Sequence, residues 1–206
     1  DDAHAHAIDV TVSETVLVVM GPHARQFLQP LIPQSLANDD FAFGTMQPIE
    51  IGHAVGRAHR ITYVGELGWE LYVPTDMSAH VFETLMARRK DHDLALCGLH
   101  ALDSCRIEKA FRHFGHDISN EDHVLEAGLG FAVKEDKMAG RFGGMIGADA
   151  VRAKRNDGLS QRLMQFCLKD PEPLLYHNEA ILRDGELIGY LTSGNYGHHL
   201  GLSLIH

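Results

Sequence analysis

Two glutamates, Glu66 and Glu70, stand in the segment Tyr63-Val-Gly-Glu-Leu-Gly-Trp-Glu-Leu-Tyr72, with glycines at 65 and 68 and aromatics at 63, 69 and 72. An ionised carboxylate accepts two parallel N–H donors, and a neighbouring aromatic stacks on a flat ring. The set therefore suits a planar heterocycle that presents an amidine-like edge. The same residues also read as a plain hairpin with solvated glutamates and core aromatics, and spacing alone favours that hairpin.

Other residue groups carry less chemistry. Among 15 histidines, His113-x-x-His116, His4-x-His6 and His198-His199 have metal-like spacings. None has a cysteine or carboxylate at a familiar interval and HExxH is absent, so no metal site is expected. The glycines of Gly140-Arg-Phe-Gly-Gly-Met-Ile-Gly147 fit neither GxxxxGK[ST] nor GxGxxG after a strand, and read as a loop or helix start without a nucleotide or flavin. There is no GxSxG, so Ser/His/Asp catalysis has no support. Cys97, Cys105 and Cys167 form no CxxC pair. They suit reduced thiols in a cytoplasmic compartment, with Cys105 a small core hydrophobe on a helix.

The elements that would position the glutamates follow from periodicity. Val16 to Met20 reads as a buried strand, Gly21-Pro22 starts a helix through about Leu31, and residues 34 to 44 form a loop. Strands follow at about Met46 to Ile51, Gly56 to Tyr63 and Trp69 to Val73, with Gly65 to Gly68 as the turn before the last. Thr75 or Ser78 caps a helix whose Ala79, Phe82, Leu85 and Met86 share one face and whose end is Arg88-Arg89-Lys90. A second helix carries Leu99, Leu102 and Cys105 and runs to about Arg112. The order β-α-β-β-β-α-α is an α+β arrangement. From Gly158 short strands take over, at Leu163 to Leu168, Ala180 to Leu182 and Leu187 to Thr192, with Asp184-Gly185 as a hairpin turn. They predict a small β-barrel or sandwich over 158–206 after a domain over 1–157. Gly201 to His206 is strand-like with no partner left to pair it, so the barrel reads as incomplete and the chain as a piece of a longer polypeptide.

Composition sets outer bounds. The 206 residues carry 18 Lys and Arg against 28 Asp and Glu, a net charge of −10, which excludes a phosphate-tracking nucleic-acid binder. With 45% hydrophobic and 22% charged residues the chain reads as an ordinary globular protein. No apolar run approaches the roughly 20 residues of a membrane span, and no secretory leader pattern opens the chain.

Against this background, Tyr63-Val-Gly-Glu-Leu-Gly-Trp-Glu-Leu-Tyr-Val-Pro74 resembles the YTGExGxExxxP motif of the aminomethyltransferase family, the glycine-cleavage T-protein and its relatives. Val19-Met-Gly-Pro-His-Ala-Arg25, Gly98-Leu-His-Ala-Leu-Asp-Ser-Cys-Arg-Ile-Glu108 and Thr192-Ser-Gly194 with Tyr196 agree in order. Within the family, Arg112-His-Phe-Gly-His-Asp-Ile118, Leu125-Glu-Ala-Gly-Leu-Gly-Phe-Ala-Val-Lys134 and Asp170-Pro-Glu-Pro-Leu-Leu-Tyr176 are similar to the C-terminal folate-binding region of FAD-dependent dimethylglycine and sarcosine dehydrogenases.

The resemblance implies the C-terminal part of a T-protein-like folate-binding fold followed by an incomplete β-barrel. It also implies transfer of a one-carbon unit from an N-methylated amine to tetrahydrofolate, with FAD held only in a domain N-terminal to this chain. The alternatives are a stand-alone aminomethyltransferase or folate-dependent demethylase, or a regulatory module on the same fold. By position, the pterin-binding glutamate corresponds to Glu70 and its partner tyrosine to Tyr63, with Glu66 shaping the turn and a weaker candidate ligand. Where T-proteins usually carry a folate-binding arginine this chain has Leu102, and Arg106 is the nearest substitute. The family's catalytic aspartate falls upstream of the chain, and Asp1-Asp2 lies too close to Tyr63 in sequence to be it. The implied partners are folate and a methylated amine, with neither nucleic acid nor membrane.

Overall fold

A computed structural model describes residues 4–206; the acidic pair Asp1-Asp2 lies outside the described residues. The chain forms two compact units, Asp1–Leu99 and His100–His206.

The first unit contains β1 (Glu14–Met20), α1 (Ala24–Leu28), β2 (Met46–Ile51), β3 (Ala54–His59), β4 (Gly68–Pro74) and α2 (Ser78–Ala87). Its strands form an antiparallel sheet in the order β1-β4-β3-β2, so β4 is an interior strand. Alternation along β4 fixes its two faces. Trp69, Leu71 and Val73 are fully buried, while Glu70 and Tyr72 between them are only half-buried. The buried face packs with Phe27 and Leu28 of α1, Ile49 and Ile51 of β2, and Val81 and Leu85 of α2. Phe41 meets Trp69 edge-on at 6.2 Å.

Three local expectations change here. The helix after Gly21-Pro22 ends at Leu28 and tightens into a 3₁₀ turn over Gln29–Leu31, because Pro30 has no N–H to continue an α-helical ladder. The third strand covers Ala54–His59 instead of reaching Tyr63, since Arg60 leaves the ladder and exchanges backbone hydrogen bonds with Gly44 and Thr45. In α2 the core face is Val81 and Leu85, and Phe82 is 41% exposed.

The second unit contains α3 (Leu99–Glu108), α4 (Glu135–Met138), α5 (Ala148–Asp157), β5 (Phe166–Cys167), β6 (Ala180–Arg183), β7 (Glu186–Tyr190), β8 (Gly194–Gly197) and β9 (Leu202–Ile205). Helix α3 stops at Glu108, four residues before the expected end. There Phe111 N–H bonds to the Arg106 carbonyl and Ala110 N–H to that of Ile107. With Ala110 left-handed at φ +55°, this is a Schellman termination. Cys105 is exposed, so it is not the core hydrophobe expected from its helix position. The glycine run ending at Gly147 leads into α5, with Gly147 at its N-cap.

Strands β6 and β7 form the expected hairpin through Asp184 (φ +55°) and Gly185 (φ +85°); both central residues are left-handed, as a type I′ turn requires. Strand β9 overturns the expectation of an unpaired terminus. It lies in the middle of a sheet ordered β5-β9-β8, with Leu204 and Ile205 buried. Its partner β8, Gly194-Asn-Tyr-Gly197, carries no apolar alternation and so gives no strand signal. Among the described residues, this sheet and the β6-β7 hairpin do not close into a barrel.

Candidate functional site

Glu70 sits in the middle of β4 on the sheet face away from the first unit's core. Register places Val18 of β1 and His59 of β3 opposite it, and Val16 and Arg57 opposite Tyr72. Close pairing with β1 requires a glycine at 68, because a Cβ there would lie 2.4 Å from Met20 Cγ and 2.9 Å from the Val19 carbonyl oxygen.

The Tyr72 hydroxyl donates to Glu70 Oε2 at 2.7 Å. That hydrogen bond pushes the phenol above its ordinary value of 10, and burial adds to the effect, so Tyr72 remains a donor at neutral pH. Arg57 lies over the Tyr72 ring, 5.9 Å from its centroid. Its Nη2 donates to both carboxylate oxygens of Glu14 at 2.6 Å.

Tyr63 lies in the loop between β3 and β4 and is half-buried, and Glu66 is exposed at the turn before β4. The fold thus holds Tyr63, Glu66 and Glu70 on one loop-and-strand segment of one unit. Trp69 faces the opposite way, fully buried, with Arg25 and Arg60 5.7 and 5.9 Å from its ring centroid. It is therefore a core residue and not the aromatic that stacks beside Glu70.

Arg106 lies in the second unit, on α3, and is 2% exposed. Its Nε donates to Asp103 at 3.0 Å, and its Nη1 to Asp117 at 2.5 Å and to the Phe111 carbonyl at 3.2 Å. Asp117 is the hub. Its carboxylate also accepts from Thr192 Oγ1 (2.8 Å), Ser193 Oγ (2.5 Å) and the His113 backbone N–H (2.9 Å), and lies 3.2 Å from His206 Nδ1. Burial by itself raises the Asp117 carboxyl. Hydrogen bonds from His206, Ser193 and the His113 N–H, with the charge of Arg106, outweigh burial and hold it far below the usual carboxylate range. Residue types alone do not single out Asp117, because its partners are distant in sequence.

A cleft of about 480 Å³ in the second unit runs past Asp117, between the Gly115–Ser119 loop and the apolar Phe166, Ile181 and Ile188. The His113 and His116 rings lie 5.1 Å apart and His177 6.1 Å from His116. Among the described residues, no three His, Cys, Asp or Glu side chains are grouped to hold a metal ion, and no helix is long and apolar enough to cross a membrane.

The GCVT N-terminal domain family matches residues 2–137, and the glycine cleavage T-protein C-terminal barrel domain matches residues 161–205. The 4-methylaminobutanoate oxidase (formaldehyde-forming) of Paenarthrobacter nicotinovorans is 37% identical over 96% of this chain and 23% of its own length. Mitochondrial dimethylglycine dehydrogenase of Mus musculus is 37% identical over 95% of this chain and 22% of its own. Aminomethyltransferase of Halothermothrix orenii is 35% identical over 87% of this chain and 48% of its own. The chain thus spans about a fifth of the first two relatives and about half of the third. The crystal structure of glycine cleavage system aminomethyltransferase T from Bartonella henselae superposes with a TM-score of 0.64, covering 93% of this chain and 74% of that one at 17% identity, which shows a shared fold.

Proposed function

We propose, from the premise that this chain belongs to the GCVT family of glycine-cleavage T-proteins, that it is the folate-binding portion of an enzyme passing a one-carbon unit from an N-methylated amine of the dimethylglycine or sarcosine type to tetrahydrofolate. In this reading, residues 1–157 are the aminomethyltransferase-like domain and 158–206 the barrel-type domain.

One observation carries the proposal. The second glutamate of the motif emerges on the open sheet face with its carboxylate already oriented by Tyr72. The N3–H and 2-amino groups of a pterin are two parallel donors, and a single carboxylate accepts both. Glu70 holds that edge, Tyr63 flanks it from the preceding loop, and Glu66 shapes the turn. Arg106 drops out as a folate ligand in this reading, since its Nε and Nη1 are committed to Asp103, Asp117 and Phe111.

Bound tetrahydrofolate supplies a nucleophilic nitrogen that captures the one-carbon unit. The chain contributes position, and holding an electrophile beside an amine is worth several kcal/mol through effective molarity. Oxidation of the amine belongs to FAD held outside these 206 residues. A stand-alone aminomethyltransferase is the second reading, favoured by the match to half the length of the Halothermothrix protein.

Isothermal titration with 5-formyltetrahydrofolate tests the proposal. Glu70→Ala is expected to abolish binding while the melting temperature stays unchanged. Equal affinities for the two proteins would overturn the assignment.

A further inference from the structure

Resting on the folate reading above, we infer that Tyr72 is a positioning residue that sets how well this site recognises the two-donor edge of its ligand. It does so by holding the Glu70 carboxylate at a fixed angle and without touching the ligand itself.

The geometry is a chain of contacts across three strands. Glu14 on β1 takes Arg57 of β3 through both carboxylate oxygens at 2.6 Å. Arg57 covers the Tyr72 ring at 5.9 Å, and Tyr72 on β4 donates to Glu70 Oε2 at 2.7 Å. Register makes Arg57 and Tyr72 cross-strand neighbours, and β4 is paired on both sides, so the backbone beneath the array is fixed.

A glutamate free on a sheet face spreads over many rotamers, and ordering it costs entropy when a ligand binds. A carboxylate has about four acceptor directions. Tyr72 occupies one on Oε2, and this leaves Oε1 and the remaining lone pair of Oε2 to meet parallel donors. Because Glu70 holds the Tyr72 phenol protonated, the restraint persists through the neutral range. The consequence is selectivity: the restraint matters for a ligand that uses both carboxylate oxygens and hardly at all for one that uses a single oxygen.

The test compares 5-formyltetrahydrofolate with its 2-desamino analogue, which lacks one of the two donors, on the whole 206-residue chain. Tyr72→Phe keeps the ring over which Arg57 lies and removes only the hydroxyl. It is expected to weaken the 2-amino ligand roughly tenfold, the scale of one charge-assisted hydrogen bond, and the desamino ligand less than about twofold, with the melting temperature held. Equal weakening of both ligands, or of neither, would overturn the inference. Glu70→Gln run in parallel separates the two ways of failing. If Glu70→Gln binds as the unmodified chain does, the folate reading falls and this inference with it. If Glu70→Gln is weakened while Tyr72→Phe is not, only the role of Tyr72 falls.

Discussion

Asp117 shows what a buried charge needs. It is fully enclosed yet ionised, because Arg106, Thr192, Ser193 and the His113 N–H all donate to it and His206 lies beside it. Asp117→Asn leaves the buried Arg106 charge with only the partly exposed Asp103 as counter-ion and is expected to cost about 3 kcal/mol in urea melts at pH 7. A carboxyl held low in the folded state stabilises above its unfolded value of about 3.9 and loses that contribution as pH falls through the folded value. The gap between unmodified and Asn proteins should therefore be full at pH 7 and shrink below about pH 4; a gap independent of pH would contradict the assigned ionisation. At Glu66 the opposite holds. It is exposed at the turn, so Glu66→Ala should leave folate affinity within about twofold, the usual scale of a surface change. Glu70 was legible in the sequence because motif and alternation agree on its place. Asp117 was not legible as a hub, since its donor Ser193 stands 76 residues away and no local pattern announces such a pairing.

At the scale of elements, strands of the first unit could be read where apolar and polar residues alternate, whereas the apolar run Val16 to Met20 read as a buried strand and instead exposes Val16 and Val18 on one face. Met46–Ile51 matched the expected strand end to end. Strand β8 could not be read: it has two glycines and no apolar face, and without it β9 had no partner on that side. Helix α2 was misread in its rotation because it offers two apolar stripes, and only packing under the sheet selects Val81 and Leu85 over Phe82. Leu85→Ala should cost about 2–4 kcal/mol and Phe82→Ala less than about 1; thermal melts reversing that order would contradict the assigned face. The end of α3 makes a prediction of the opposite sign. Ala110 sits left-handed at φ +55°, where glycine is the favoured residue, so Ala110→Gly should raise stability by about 0.5–1 kcal/mol in urea titration. A loss would mean that the Schellman termination is not the populated ending.

For the whole molecule, a net charge of −10 and an open sheet face carrying an oriented carboxylate are consistent with a small ligand whose donors do the recognising. The family match over residues 2–137 turns that chemistry into a folate-site proposal, which neither feature supports alone. The central claim is the grip of Glu70 on a pterin, and a crystal structure of the chain soaked with 5-formyltetrahydrofolate tests it most directly. The account predicts the pterin N3–H and 2-amino nitrogens at about 2.8 Å from the two Glu70 oxygens, the distance of charge-assisted hydrogen bonds, with Tyr72 still bonded to Oε2. A pterin seated elsewhere, with Glu70 touching only Tyr72, would contradict it.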